Sequence, residues 1–289
     1  LAEPHWGPRK ADHSYARKEN TMHAICITCG TQFTDNATRP AACPICQDER
    51  QYVNWNGQQW TTLADLQASH RNVLREVEPG MTGIATEPGF AIGQRALLVQ
   101  TPTGNVLWDC ISLIDQATVD AVNALGGIQA IAISHPHFYS SMVEWSRAFD
   151  APIYLHADNR PFVMRPDPAI EYWTDETLAL LPGVTLIRCG GHFPGSTVLH
   201  WTGGAEGRGV LLTGDTIMVV QDRRFVSFLY SYPNLLPLPA PAVRRIAAAV
   251  QPYRFDRLYS GWWDKVVDGE ADAAVARSAE RYVRIIEEG

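Results

Sequence analysis

The chain has 289 residues, 46% hydrophobic and 19% charged, enough for one large core plus a small satellite module. Its formal net charge of -7, with no block of Lys or Arg, excludes the basic footprint that a nucleic-acid partner demands. No apolar run approaches the roughly 20 residues that span a bilayer, and the N-terminus lacks the basic-then-apolar order of a signal peptide, so the cytoplasm is the expected compartment.

Residues 1–20 are polar, Pro-containing and aperiodic, and read as a mobile arm or a partner-contacting tail. Cys26-Ile27-Thr28-Cys29 and Cys43-Pro44-Ile45-Cys46 follow. Two such CxxC knuckles supply four thiolates for a closed tetrahedral zinc site, which leaves no open position for a substrate and is therefore structural. The segment from Gln51 to Thr61, with an Asn56-Gly57 turn, predicts a hairpin that completes a zinc ribbon over 21–61. Lacking a basic cluster, this ribbon suits protein contact or packing on the main domain. Cys110 and Cys189 stand alone, and the whole distribution fits metal binding in a reducing compartment better than a disulfide framework. Thr62 caps a predicted helix through about Val73, and Pro79-Gly80 and Pro88-Gly89 mark a linker, so 62–89 reads as helix and linker.

From Phe90 the pattern changes to short β runs, and 90–289 reads as the main domain. Arg95 to Gln100 and Val106 to Cys110 form a hairpin around Pro102-Thr103-Gly104-Asn105, and Gln116 to Leu125 form a helix. The apolar run Ile128 to Ile133 is a buried strand that delivers Ser134-His135-Pro136-His137-Phe138-Tyr139-Ser140-Ser141. A helix over Glu144 to Phe149, a strand over Pro152 to His156 and a Pro-rich excursion with Phe162, Tyr172 and Trp173 come next. Val184 to Ile187 leads into the glycine-rich Cys189-Gly190-Gly191-His192-Phe193-Pro194-Gly195-Ser196. Strands at Thr197 to Trp201 and Gly209 to Leu212 follow, the second ending in Thr213-Gly214-Asp215-Thr216. Helices over Ala240 to Val250 and Ala271 to Glu287 flank a last strand at Arg257 to Ser260. Strands mixed with helices in this way indicate an α/β (α+β) chain of layered sheets covered by helices.

A His-x-His pair at a strand end, a later His in a glycine-rich loop and an Asp closing a strand share one placement, the C-terminal mouth of a sheet. On these motifs the stretch from Phe90 to Gly289 resembles the metallo-β-lactamase superfamily. The resemblance implies an αββα sandwich with metal ligands on loops at one sheet edge. It assigns His135, His137 and His192 to the three histidines and Asp215 to the aspartate that usually bridges two metals. Tyr139 stands where the HxHxDH motif has its aspartate, Ser140 where it has its next histidine, and Trp262 where the terminal histidine is expected. All three departures fall on the second metal's ligands, which leaves a mononuclear site for Zn or, behind it, Fe or Mn.

Blander readings accompany each residue. The histidine pair could be hydrogen-bonded loop histidines, Asp215 a helix N-cap, and His156 and His200 satisfied core histidines. The Tyr139 phenol either fills the vacated second-metal space or serves as proton donor or substrate clamp. Trp262 and Phe193 read as pocket walls, with core packing as the competing explanation. The expected activity is metal-dependent hydrolysis of a small apolar or aromatic ester, lactone, thioester or activated ether, with Asp215 as ligand and base. A narrower resemblance is to the two-subunit nitroaryl-ether hydrolases of the same superfamily. A nuclease is disfavoured by the acidic charge and the missing second metal. The alternative is a weakly catalytic or non-catalytic subunit of a homo- or hetero-oligomer, with the zinc ribbon serving assembly.

Overall fold

The computed structural model describes residues 23–34 and 39–288, and the arm expected over 1–20 lies outside the described residues. Two short strands, β1 (Ile25–Cys26) and β2 (Trp60–Thr61), pair within the cysteine module. The main domain starts with a seven-stranded sheet in sequential order: β3 (Arg71–Glu78), β4 (Met81–Glu87), β5 (Arg95–Thr101), β6 (Gly104–Trp108), β7 (Ala130–Ala132), β8 (Ile153–His156) and β9 (Ile170–Trp173). β3 to β6 are antiparallel neighbours, β3–β4 and β5–β6 joined by tight turns and β4–β5 by the loop over 88–94. β6 to β9 run parallel, because the helices Gln116–Ala124 and Met142–Phe149 and a long excursion return the chain to the same end each time.

A second sheet runs β10 (Thr177–Leu181), β11 (Val184–Arg188), β12 (Thr197–Trp201), β13 (Val210–Gly214), β14 (Arg257–Ser260) and β15 (Val266–Val267), with β13 and β14 parallel. Leu97, Val99, Trp108, Leu186, Leu199 and Leu212 fill the space between the sheets. Helices Gln116–Ala124 and Met142–Phe149 cover the outer face of the first sheet, and Ala240–Val250 and Ala271–Glu288 that of the second. The layering is the expected αββα sandwich. No helix of the described residues is long and apolar enough to cross a membrane.

Two sequence expectations need correction. The segment 62–89 is not helix and linker: Thr62 caps a helix of only Leu63–Ser69, accepting from the Asp65 N–H at 3.2 Å, and the main sheet begins at Arg71. β3 is an edge strand whose charged face hides its periodicity, with Arg71 and Arg75 both pairing with Glu87 across the ladder. The hairpin expected from Gln51 to Thr61 reduces to β2, and Gln51 to Gln59 contains no strand. Backbone groups there find main-domain partners instead, as the Glu49 and Gln51 carbonyls do with Asn234 Nδ2, each at 3.1 Å.

Candidate metal centre

Both sheets send ligands to one edge of the sandwich. β7 leads to His135 and to a short turn over Pro136–Phe138 that carries His137. β11 leads to the His192 loop, and β13 ends in Gly214, immediately before Asp215. Gly214 has φ +50°, and a Cβ there would meet Ser134 Oγ at 2.4 Å, so the approach of the two strand ends requires glycine.

The ligand atoms of His135, His137, His192 and Asp215 all lie within 4.8 Å of one another. Asp215 Oδ2 is 3.4 Å from His135 Nε2 and 3.8 Å from His192 Nε2, and His192 Nε2 is 3.4 Å from His137 Nδ1. A tetrahedral ion with bonds of about 2.0–2.1 Å separates its ligand atoms by about 3.3–3.4 Å, so this set fits such an ion. His135 Nε2, which faces Asp215 Oδ2, is buried with no hydrogen-bond partner, a costly arrangement that a cation at the cluster would relieve.

Protonation states suit ligation. Burial, reinforced by the neighbouring histidines, pushes His137 well below the usual imidazole range and His192 down to about 3, leaving neutral rings. Ring orientation is set from behind. His135 Nδ1–H donates to Ser134 Oγ at 2.9 Å, and Ser134 donates through Oγ and its backbone N–H to Asp109 Oδ1 at 2.7 and 2.8 Å. His192 Nδ1–H donates to the Leu229 carbonyl at 3.2 Å. In both rings Nε2 keeps its lone pair for the cluster. Burial pushes the Asp109 carboxyl up to about 8. Sequence reasoning passes over Ser134 and Asp109. Their signal is positional, since Asp109 ends the strand beside the one that delivers the histidines.

The other candidate residues lie elsewhere. Tyr139 is buried in the core beneath the Met142–Phe149 helix, outside the four-ligand cluster. Burial pushes its phenol up, and Asn159 is the side chain bonded to it. Asn159 Oδ1 in turn accepts from the Gly195 N–H at 2.9 Å. Ser140 Oγ accepts from Gln94 at 3.0 Å. A ring beside His135 is that of Phe138, to which the sequence assigns no role. It lies 4.5 Å from the His135 ring and 6.0 Å from Trp262, and a Cβ on Gly261 would come within 2.8 Å of it. Trp262 Nε1–H donates to the Ile92 carbonyl at 3.1 Å. Phe193 is fully buried and walls the cluster, with its ring 4.9 Å from that of His137 and 5.1 Å from that of His192. His156 and His200 are core histidines: His156 Nδ1 accepts from the Asp158 N–H, and His200 Nε2–H donates to the Arg254 carbonyl.

Cys26, Cys29, Cys43 and Cys46 form the second buried group, with Sγ–Sγ distances of 3.6 Å for Cys26–Cys46 and for Cys29–Cys43. Zinc–sulfur bonds of about 2.3 Å in a tetrahedron give about 3.8 Å, so the four thiolates fit zinc. Gln58 Nε2 donates to Cys26 Sγ at 3.2 Å. Shared hydrogen bonds push Cys26 down and Cys29 up, a conflict that a bound dication removes by holding both as thiolates.

No family model matches the chain. It is 53% identical over 264 residues to YmaE, an uncharacterized protein of Bacillus subtilis (strain 168), an alignment covering 91% of this chain and 96% of that one. Among solved structures it is similar to VMB-1, with a TM-score of 0.56 at 12% identity over 74% of this chain and 98% of that one. It is similar also to the DIM-1 metallo-β-lactamase, with a TM-score of 0.54 at 12% identity over 75% of this chain and 97% of that one. Identities this low establish the fold alone. The chain belongs to the family of Bacillus subtilis YmaE, and its fold is that of the metallo-β-lactamases.

Proposed function

We propose that this protein is a cytoplasmic hydrolase with one divalent metal, zinc ahead of iron or manganese, held by His135, His137, His192 and Asp215. Its substrate is a small apolar or aromatic ester, lactone, thioester or activated, nitroaryl-type ether. The observation that carries the reading is the cluster of three imidazoles and one carboxylate with ion-sized spacing at the sandwich edge. When bound, a divalent metal supplies water activation near neutral pH and Lewis-acid polarisation of the scissile group.

The chain's own residues do the rest. Ser134 and the Leu229 carbonyl fix the tautomers of His135 and His192. Asp215 directs Oδ2 at the cluster and keeps Oδ1 without a partner, so Oδ1 is the atom that takes the proton of the attacking water. The Tyr139 phenol, bonded to Asn159, has no part in this scheme. Phe138 supports the single-metal reading, because its ring is packed against Gly214 and Gly261, the neighbours of Asp215 and Trp262.

A second reading, a weakly catalytic or non-catalytic subunit of a hetero-oligomer, is favoured by the burial of the same side chains, with His135 at 0% and Asp215 at 5% exposure. Two measurements on purified protein separate these readings. Metal analysis is expected to find about two ions per chain, one of them lost in His137→Ala. Hydrolysis of a panel of chromogenic esters, lactones, thioesters and nitroaryl ethers, abolished in His137→Ala, supports the enzyme. Two metals with no turnover across the panel favour the subunit, and one metal lost with Cys26→Ser defeats the single-metal hydrolase.

A further inference from the structure

We infer that Arg50 is a positioning residue through which the four-cysteine group sets the geometry of the histidine cluster, so that filling the thiolate site tightens metal binding at the other. This rests on the reading of the His135–His137–His192–Asp215 cluster as a metal centre.

The connection can be followed atom by atom. Cys46 lies on the short helix Pro44–Gln47, and the Asp48 N–H closes that helix on the Pro44 carbonyl at 3.1 Å. The Asp48 carboxylate holds Arg50 Nη1 through both oxygens at 2.8 Å. Arg50 then donates from Nε to the His192 carbonyl at 2.6 Å, with its guanidinium 4.5 Å from the centres of both the Phe193 and Tyr230 rings. A second path uses the strap over 229–234. Ser231 Oγ–H donates to the Arg50 carbonyl at 3.1 Å, and Asn234 bonds the carbonyls on either side of Arg50. The same strap accepts from His192 Nδ1 at Leu229 and donates from the Tyr232 hydroxyl to the Asp215 carbonyl at 2.8 Å. The module therefore touches the backbone of one ligand directly and reaches the His192 ring and the Asp215 backbone through one strap.

The module's own order depends on its metal. Its buried apolar cluster is the four cysteines with Phe33 and Ile45, too small to fold around without the ion. An ion in the thiolates thus fixes Asp48 and Arg50, and Arg50 fixes the His192 loop. Coupling of this kind is reciprocal, so each metal favours the other.

The test uses the full-length protein stripped of metal and reloaded with cobalt(II), whose thiolate charge-transfer bands report the four-cysteine group and whose ligand-field bands report the histidine cluster. Arg50→Ala is expected to keep the thiolate bands and the far-ultraviolet circular dichroism. It should weaken cobalt at the histidine cluster by about 10–100-fold and shift its ligand-field bands. Arg50→Lys, which keeps the charge without the fork that reaches Asp48 and His192 together, should restore less than half of that loss on a logarithmic scale. Cys46→Ser is expected to weaken the histidine cluster in the wild-type background and to add less than that on top of Arg50→Ala, the remainder passing through the strap, which bonds main-chain carbonyls that Arg50→Ala keeps. Unchanged affinity and ligand-field bands in Arg50→Ala, or full additivity of the two changes, overturns the inference while the metal centre stands. A wild-type protein that binds cobalt only at the thiolates removes the metal centre and the inference with it.

Discussion

The two four-ligand groups of this chain look alike in compactness and differ in construction. The cysteines come from 21 consecutive positions, Cys26 to Cys46, whereas the histidine cluster is gathered from His135 to Asp215 by strands of two sheets. The thiolates are the core of their module, while the histidine cluster sits at the edge of a sandwich that has three apolar cores of its own. The first group holds its surroundings together and the second is held by them. A metal should therefore matter to folding in one and to chemistry in the other.

The largest effect that can break this contrast comes from Cys29→Ser. Structural zinc in thiolate sites contributes on the order of 10 kcal/mol of folding free energy, so the variant is expected to lose one metal and to expose 39–61 to limited proteolysis. His192→Ala should also release one metal, yet move the unfolding midpoint far less, because the sheets keep their cores. Equal destabilisation by the two variants would contradict the contrast.

Phe138→Ala comes next. The ring is fully buried between His135, Trp262 and the backbone at Gly214 and Gly261, and removing it should cost about 3–5 kcal/mol in a denaturant titration. A loss below about 1 kcal/mol would mean that the ring is not what fills the space beside the cluster.

These two cases also show what is legible in the sequence. The CxxC pairs announce a tetrahedral site because the ligands are neighbours in the chain, and no fold is needed to read them. The distant His192 and Asp215 become legible through the family resemblance and the strand ends that carry them. Phe138 is invisible as a space-filler, because its role depends on close approach to Gly214 and Gly261 from other strands. The edge strand β3 and its neighbour β4 read as helix and linker for the same kind of reason: their cross-strand ion pairs with Glu87 appear only once the ladder is formed.

The pH dependence sharpens the comparison further. His137 and His192 are neutral in the metal-free fold, His192 down to about 3, while the unfolded chain protonates near 6.5. Their contribution is fully present above pH 6.5 and is lost as pH falls toward 3, because the unfolded state binds the extra protons. At pH 5 the loss is about 2 kcal/mol for His192 relative to pH 7. Asp109 works in the opposite sense: pushed up to about 8, its contribution is full below about 3.8 and is lost as pH rises toward 8. Urea titrations of the metal-free protein in an Asp109→Asn background expose the histidine slope, which should flatten between pH 7 and pH 5 when His137 and His192 are both replaced by Ala, leaving the share of His156 and His200, which burial also holds below the usual imidazole range.

The smallest effect probes how the histidine cluster is held. Ser134 Oγ accepts from His135 Nδ1–H and donates to Asp109 Oδ1, all three residues being buried. Ser134→Ala removes the acceptor that fixes the His135 tautomer, so part of the ring population turns the wrong nitrogen to the metal. Such losses behind a metal ligand cost about 10–100-fold in affinity, or about 1.4–2.8 kcal/mol. Asp109→Asn should cost less than Ser134→Ala, because an amide Oδ1 still accepts both Ser134 donors. At the thiolate group the matching change is Gln58→Ala, which removes one donor to Cys26. A thiolate has no tautomer to choose, so metal affinity there should fall by less than tenfold. Competition titrations against a chelator measure all three variants on one scale. A Gln58→Ala loss as large as that of Ser134→Ala would show that both groups lean equally on the residues behind them.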